Sequence, residues 1–125
     1  MVDVAGTLRR VTISGVTYDV MADTNVTEVG SAFENEAIPT SGRNMKKMMR
    51  RAENRSGVVI AANASERDAL QQIAESVEDV TLAYETADGS VYRADGWIEF
   101  ESRETEENRA TVTMMPRRAW ASFVA

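Results

Sequence analysis

Polar and apolar residues alternate with a period of two through the last third of the chain, and no other feature limits the fold as strongly. Val80, Leu82 and Tyr84 alternate with smaller or polar residues, which is typical of a β-strand that buries one face. The sequence Ala-Asp-Gly-Ser over 87–90 predicts a turn, and a second strand returns over 91–94. This part of the chain is therefore expected to fold as antiparallel strands joined by short turns.

The same pattern continues to the proline that follows the last strand. Gly96 permits a bend or a bulge, and after it Ile98 and Phe100 are predicted to share one strand face. The other face of that strand is predicted to carry Trp97, Glu99, Glu101 and Arg103. The last strand is predicted over 109–115 and ends at Pro116, because proline cannot donate a hydrogen bond to a neighbouring strand.

One helix is predicted before these strands, at about 66–77. Ser65 is a favourable N-cap for it. The apolar residues that repeat at helical spacing are Leu70, Ile73, Ala74 and Val77. An amphipathic helix of this kind covers one face or end of a sheet.

A hairpin is predicted near the N-terminus, with strands over 7–14 and 16–20. Its turn is Ser14-Gly15, since glycine adopts a positive φ at little cost. Together these elements predict a mainly β fold, a small β-sandwich or barrel of about seven antiparallel strands with one flanking α-helix. The whole of 1–125 is expected to form a single domain.

The middle of the chain lacks this periodicity. Residues 22–43 contain two glycines and a proline, which predicts a long loop, and loops of this length are commonly functional or disordered. Residues 44–54 favour a helix by propensity, yet they precede an apolar, β-branched run at 58–62 that looks like the second arm of a hairpin. Both interpretations of 44–54 stay open. Five methionines are predicted to fill gaps in the core, with contact between subunits as the alternative, because methionine side chains adapt to either surface: Met45, Met48, Met49, Met114 and Met115.

Composition limits the chemistry that the chain can perform. Cysteine and histidine are both absent, which excludes disulfides, zinc fingers, cysteine nucleophiles and Ser-His-Asp triads. We therefore expect no enzyme, and no catalytic, metal-binding or cofactor-binding residue. The 14 basic and 20 acidic side chains give a net charge of −6, which repels nucleic-acid phosphates. No membrane span or secretory leader is recognisable, which predicts a cytoplasmic chain.

Acidic residues crowd the predicted hairpin near the C-terminus. The residues predicted to form an acidic surface, or to line a lumen, are Glu99, Glu101, Glu106 and Glu107. Arg103 and Arg109 are close enough to balance them across the hairpin. Catalysis by Glu99 or Glu101 is the weakest interpretation, because perturbed carboxylates are expected in a cleft.

Basic residues form a single cluster, which comprises Lys46, Lys47, Arg50, Arg51 and Arg55. The cluster is either a solvated face or an edge that meets the acidic hairpin of a neighbouring copy. In the C-terminal tail, Trp120 and Phe123 need cover from their own domain or from the next subunit. The full set of candidate inter-subunit residues is Phe33, Glu34, Ile38, Pro39, Arg43, Lys46, Lys47, Arg50, Arg51, Trp120 and Phe123.

The order of these elements resembles that of bacteriophage tail tube proteins over nearly the whole chain. The most telling part is the helix, the strand after it, the turn Asp88-Gly89-Ser90, then Val91-Tyr92 and Gly96. The run Ser41-Gly42-Arg43-Asn44, which leads into the central hairpin, belongs to the same resemblance.

This resemblance implies that six copies close into a ring and that rings stack into a hollow tube through which viral DNA passes. A continuous inner sheet lines the lumen in that family, and the tube of type VI secretion is built alike. It further implies that 44–54 is a strand paired with 58–63 and that the 22–43 loop lies on a neighbouring subunit. The implied location is the virion tail, which is assembled in the bacterial host cytoplasm. A tail with a contractile sheath is preferred to a non-contractile one. The implied partners are further copies of the chain and the sheath, baseplate and tape-measure proteins, with no membrane contact.

A monomeric adaptor or ligand-binding β-domain with a flexible 22–43 loop is the alternative. Monomeric behaviour at every concentration would favour it.

Overall fold

The computed structural model describes residues 5–22 and 24–124, so Asp23 of the predicted loop and Ala125 of the tail lie outside the described residues. The described residues form ten strands and one helix. The strands are β1 (Arg10–Ile13), β2 (Val16–Asp19), β3 (Thr27–Glu28), β4 (Phe33–Pro39), β5 (Asn44–Arg50), β6 (Arg55–Ala61), β7 (Val80–Glu85), β8 (Val91–Glu104), β9 (Arg109–Pro116) and β10 (Ala121–Phe123), and the helix is α1 (Ala64–Glu75). The prediction of a mainly β fold with antiparallel strands and one helix is confirmed.

Eight of the strands form one antiparallel sheet, in the order β2-β1-β7-β8-β9-β6-β3, with β10 paired to β8. The end of β2 meets β6 through a bridge between Val20 and Ile60. The Met21 N–H also donates to the Val59 carbonyl at 3.1 Å. These contacts bring the two sides of the sheet together into a small barrel, which leaves fewer exposed strand edges than an open sheet has.

The barrel encloses the hydrophobic core. The side chains that are fully buried there are Val11, Ile13, Val58, Ile60, Leu70, Leu82, Tyr84, Val112 and Met114. Most of them sit at every second position of their strands, as the alternation predicts. Burial of each such side chain stabilises the fold by roughly 1.5–3 kcal/mol.

The helix begins two residues earlier than predicted and ends at Glu75. Asn63, not Ser65, is the N-cap, because its side chain accepts from the Glu66 N–H at 3.0 Å while the Glu66 carboxylate accepts from the Asn63 N–H at 3.1 Å. Val77 lies beyond the helix and is 96% exposed. The predicted range of 66–77 was therefore shifted towards the C-terminus.

The central segment is more ordered than predicted. Within the predicted loop of 22–43 lie the strands β3 and β4, and β4 pairs with β5 in a separate two-stranded sheet. The strand interpretation of 44–54 is right for β5, and helical propensity does not prevail there. The implied pairing of this segment with 58–63 is wrong, because β6 is already paired with β3 on one side and β9 on the other.

Strand β8 continues without interruption through Gly96, where a bend or a bulge was expected. A Cβ at this position would lie 2.0 Å from the Met115 carbonyl oxygen, so glycine permits the close approach of β9. The register shift falls instead between Phe100 and Ser102. It turns Arg103 to the face of Phe100, so the prediction that Arg103 shares a face with Glu99 is wrong.

Candidate assembly surface

The two strands β4 and β5 form a ribbon that stands apart from the barrel. All 14 of their residues are exposed. The ribbon is regular, with seven opposed pairs from Phe33 and Arg50 at its base to Pro39 and Asn44 at its tip. Its base is closed by the Arg51 N–H, which donates to the Ala32 carbonyl at 2.9 Å.

The ribbon has two chemically different faces, since opposed residues of paired strands point to the same side. The first, which we call the basic face, carries Phe33, Asn35, Ala37, Lys46, Met48 and Arg50. The second, which we call the mixed face, carries Glu34, Glu36, Ile38, Met45, Lys47 and Met49. The basic face has two positive charges and no negative one, whereas the mixed face has two negative charges and one positive.

Both faces expose large apolar side chains, namely Phe33, Ile38, Met45, Met48 and Met49. The prediction that the three ribbon methionines fill the core is wrong. Met114 alone of the five predicted methionines is fully buried, and Met115 is half-buried. An isolated two-stranded ribbon is marginally stable in water, and its exposed apolar side chains make it a candidate contact surface.

The predicted basic cluster divides into two parts. Lys46, Lys47, Arg50 and Arg51 stay together on the ribbon or at its base. Arg55 is 6% exposed, and its Nε donates to the Tyr84 hydroxyl at 2.8 Å. Sequence reasoning did not identify this buried site, because its members come from distant segments.

The Tyr84 hydroxyl lies between two charged groups. It donates to Glu28 Oε1 at 2.5 Å and accepts from Arg55. Burial raises the pKa of Tyr84, the hydrogen bond to Glu28 raises it further, and Arg55 opposes both effects. The hydroxyl therefore stays protonated and links β3, β6 and β7.

The C-terminal tail packs onto the same cluster. The Trp120 indole Nε1 donates to the Glu53 carbonyl at 2.7 Å, and its ring meets Tyr84 edge-on at 5.4 Å. The Arg55 guanidinium lies 5.1 Å from the Trp120 ring centre. Of the two alternatives for Trp120, its own domain supplies the cover, whereas Phe123 is 60% exposed.

The base of the ribbon is consequently held from both sides. Glu28 precedes β4 in the chain, while Glu53 and Arg55 follow β5, and all three bind within the cluster around Tyr84. The barrel thus fixes where the ribbon leaves it, although it does not cover the ribbon.

The four predicted acidic residues are all exposed. Glu101 Oε1 accepts from the Thr113 hydroxyl at 2.7 Å, and Glu107 pairs with Arg109 at 3.2 Å. Arg109 also pairs with Glu104, as expected of a residue that balances this hairpin. Arg103 is directed elsewhere, to Asp68 and Gln71 of α1, each at 2.8 Å.

Over the described part of the chain, no group of three or more acidic side chains is arranged to hold a metal ion. No helix formed by residues 5–22 or 24–124 is long and apolar enough to cross a membrane. The sequence matches no protein-family model and no curated protein.

Proposed function

We propose that this chain is a self-assembling structural subunit of the tail tube kind. Its copies join through the β4–β5 ribbon into rings, and the rings stack into a hollow tube that conducts viral DNA. Six copies per ring, a location in the virion tail, and contacts with sheath, baseplate and tape-measure proteins belong to the same proposal.

One observation carries the proposal: a regular ribbon, held at its base, exposes apolar side chains on both faces. A monomer would leave five large apolar side chains in water, whereas a neighbouring copy can cover them. Exposed methionines also suit subunit contacts, because their flexible side chains adapt to the surface that they meet.

The net charge supports the use of the tube as a conduit. Each copy carries −6, so stacked copies surround the duplex with negative charge and repel its phosphates. A passage that does not bind DNA allows the duplex to slide.

The test is a variant without the ribbon. Residues 33–50 are replaced by Asn-Gly, which can join Ala32 to Arg51 because these residues are already hydrogen-bonded across the base. We expect the wild-type protein to form large assemblies in sedimentation velocity and the variant to stay monomeric.

The variant should keep the urea midpoint of the wild-type monomer, because the ribbon contributes nothing to the core. If the variant without the ribbon assembled as well as the wild-type protein, the proposed role of the ribbon would be contradicted. A wild-type protein that remains monomeric at every concentration would favour the adaptor alternative.

A further inference from the structure

A groove of about 550 Å³ lies between α1 and the adjacent part of β8. Its apolar lining includes Ala74, Trp97, Phe100 and Met115. Its acidic lining consists of Glu75, Glu99 and Glu101, all exposed. The one basic residue in the lining, Arg103, is already paired with Asp68. The groove therefore combines apolar surface with uncompensated negative charge.

The groove follows the edge of β8. Its lining includes every residue of 97–103, and because consecutive side chains of a strand point to opposite faces, such a groove must run along the strand edge. Strand β7 pairs only with 91–96 of β8, so within the described residues no strand covers this edge beyond Gly96. The helix α1 flanks this edge and accepts hydrogen bonds from Arg103, and the groove that remains between α1 and the edge is open to a further β element.

The basic face of the ribbon has the complementary chemistry. Lys46 and Arg50 supply positive charge, and Phe33 and Met48 supply exposed apolar area between and beside them. Lys46 and Arg50 are four residues apart, or about 14 Å along the strand, which fits within the roughly 20 Å spanned by seven residues of β8. The ribbon does not occupy the groove of its own chain, because none of the residues that line the groove comes from β4 or β5.

We propose that the groove between α1 and β8 receives the basic face of the β4–β5 ribbon from a second copy of this chain. This inference rests on the proposed function, since it specifies the contact through which copies assemble. The two partners are different surfaces, so the contact is heterologous and repeats from copy to copy, as rings and filaments require.

The first test uses the absence of native cysteines. A double variant with Met48→Cys and Glu99→Cys places one thiol on the basic face and one in the groove. The matched control combines Met49→Cys with Glu99→Cys, since Met49 is adjacent but lies on the mixed face. Under mild oxidation we expect a ladder of disulfide-linked oligomers from the first variant and at least about fivefold less from the control.

The second test compares two neighbouring lysines. Lys46→Glu places a negative charge on the basic face, whereas Lys47→Glu makes the same change on the mixed face. We expect Lys46→Glu to raise the concentration needed for assembly by about tenfold and Lys47→Glu by less than about twofold at low salt. Adding Glu99→Lys to Lys46→Glu should restore assembly.

The outcomes separate this inference from the proposed function. The wild-type protein could assemble while the two cysteine variants cross-link equally and the two lysine variants weaken assembly equally. That result would overturn the docking of the basic face and leave the proposed self-assembly intact. The docking would also be overturned if disulfides formed only within one chain, or if assembled protein formed no disulfides. A wild-type protein that never assembles would overturn both proposals.

Discussion

The barrel and the ribbon are both antiparallel β structure, but they differ in what stabilises them. Val11, Ile60 and Leu82 of the barrel are inaccessible to solvent, whereas every strand residue of the ribbon is exposed. Burial in the barrel therefore stabilises the fold, whereas the ribbon exposes apolar surface that we propose is covered by a second copy. Mutations should separate the two: barrel changes alter stability, and ribbon changes alter assembly.

Truncation in the core has the largest expected effect. Leu82→Ala should lower the free energy of unfolding by about 2–5 kcal/mol, because it removes buried methyl groups and leaves a cavity. Met48→Ala on the ribbon should change it by less than about 0.5 kcal/mol. Urea denaturation of both variants at a concentration where the protein is monomeric measures the difference, and comparable losses would show that the ribbon contributes to the stability of the monomer.

Two glycines provide the next contrast. Gly96→Ala should cost about 1–3 kcal/mol, because the new Cβ meets backbone atoms of β9 that cannot move freely. Gly42→Ala, at the ribbon tip, has nothing within 4 Å of its new Cβ and should be nearly neutral. Thermal melts of the monomers check this, and an equal loss at Gly42 would show that the ribbon is packed more tightly than its exposure indicates.

Alkaline pH should weaken the cluster that holds the ribbon base. The pKa of Tyr84 is raised in the folded state, while an unfolded tyrosine titrates near 10.0. The unfolded chain therefore loses its proton first, so stability is unaffected by this group below about pH 10 and falls above it, by at most about 1.4 kcal/mol per pH unit.

Tyr84→Phe is the matched variant for that experiment. It lacks the ionisable group, so the decline in its urea midpoint above about pH 10 should be shallower than in the wild-type protein. The same slope in both proteins would contradict the assignment to Tyr84.

Helix capping gives the smallest expected effect. Asn63→Ala should cost about 1 kcal/mol, since it leaves the Glu66 N–H without its side-chain acceptor. Ser65→Ala, which alters the residue predicted from sequence as the cap, should cost less. Urea midpoints of the two variants decide between them, and a larger loss from Ser65→Ala would contradict the observed cap.

The barrel strands were predictable from sequence because each buries one face, so apolar and polar residues alternate along the strand. Strand β7, with Leu82 and Tyr84 buried, is such a case. The ribbon exposes both faces, so Phe33 and Ile38 follow no apolar period and β4 was predicted as part of a loop, while β5 was left open between helix and strand. A strand without a core face has no alternation of buried and exposed residues, so its sequence gives no strand signal.

Long-range contacts account for the other errors. Arg55 lies in a basic run, yet it is buried because Tyr84 and Trp120 arrive from elsewhere in the chain. Among the candidate site residues, Lys46, Lys47 and Arg50 are exposed on the ribbon, and their role between subunits stays a prediction. It did not predict the groove, because the lining comes from α1, β8 and β9 together.

Negative-stain electron microscopy of the wild-type protein over a range of concentrations, with light scattering on the same samples, tests the proposed self-assembly most directly. Rings with six-fold symmetry, or hollow tubes that lengthen with concentration, are the expected result. A monodisperse monomer at every concentration would contradict it.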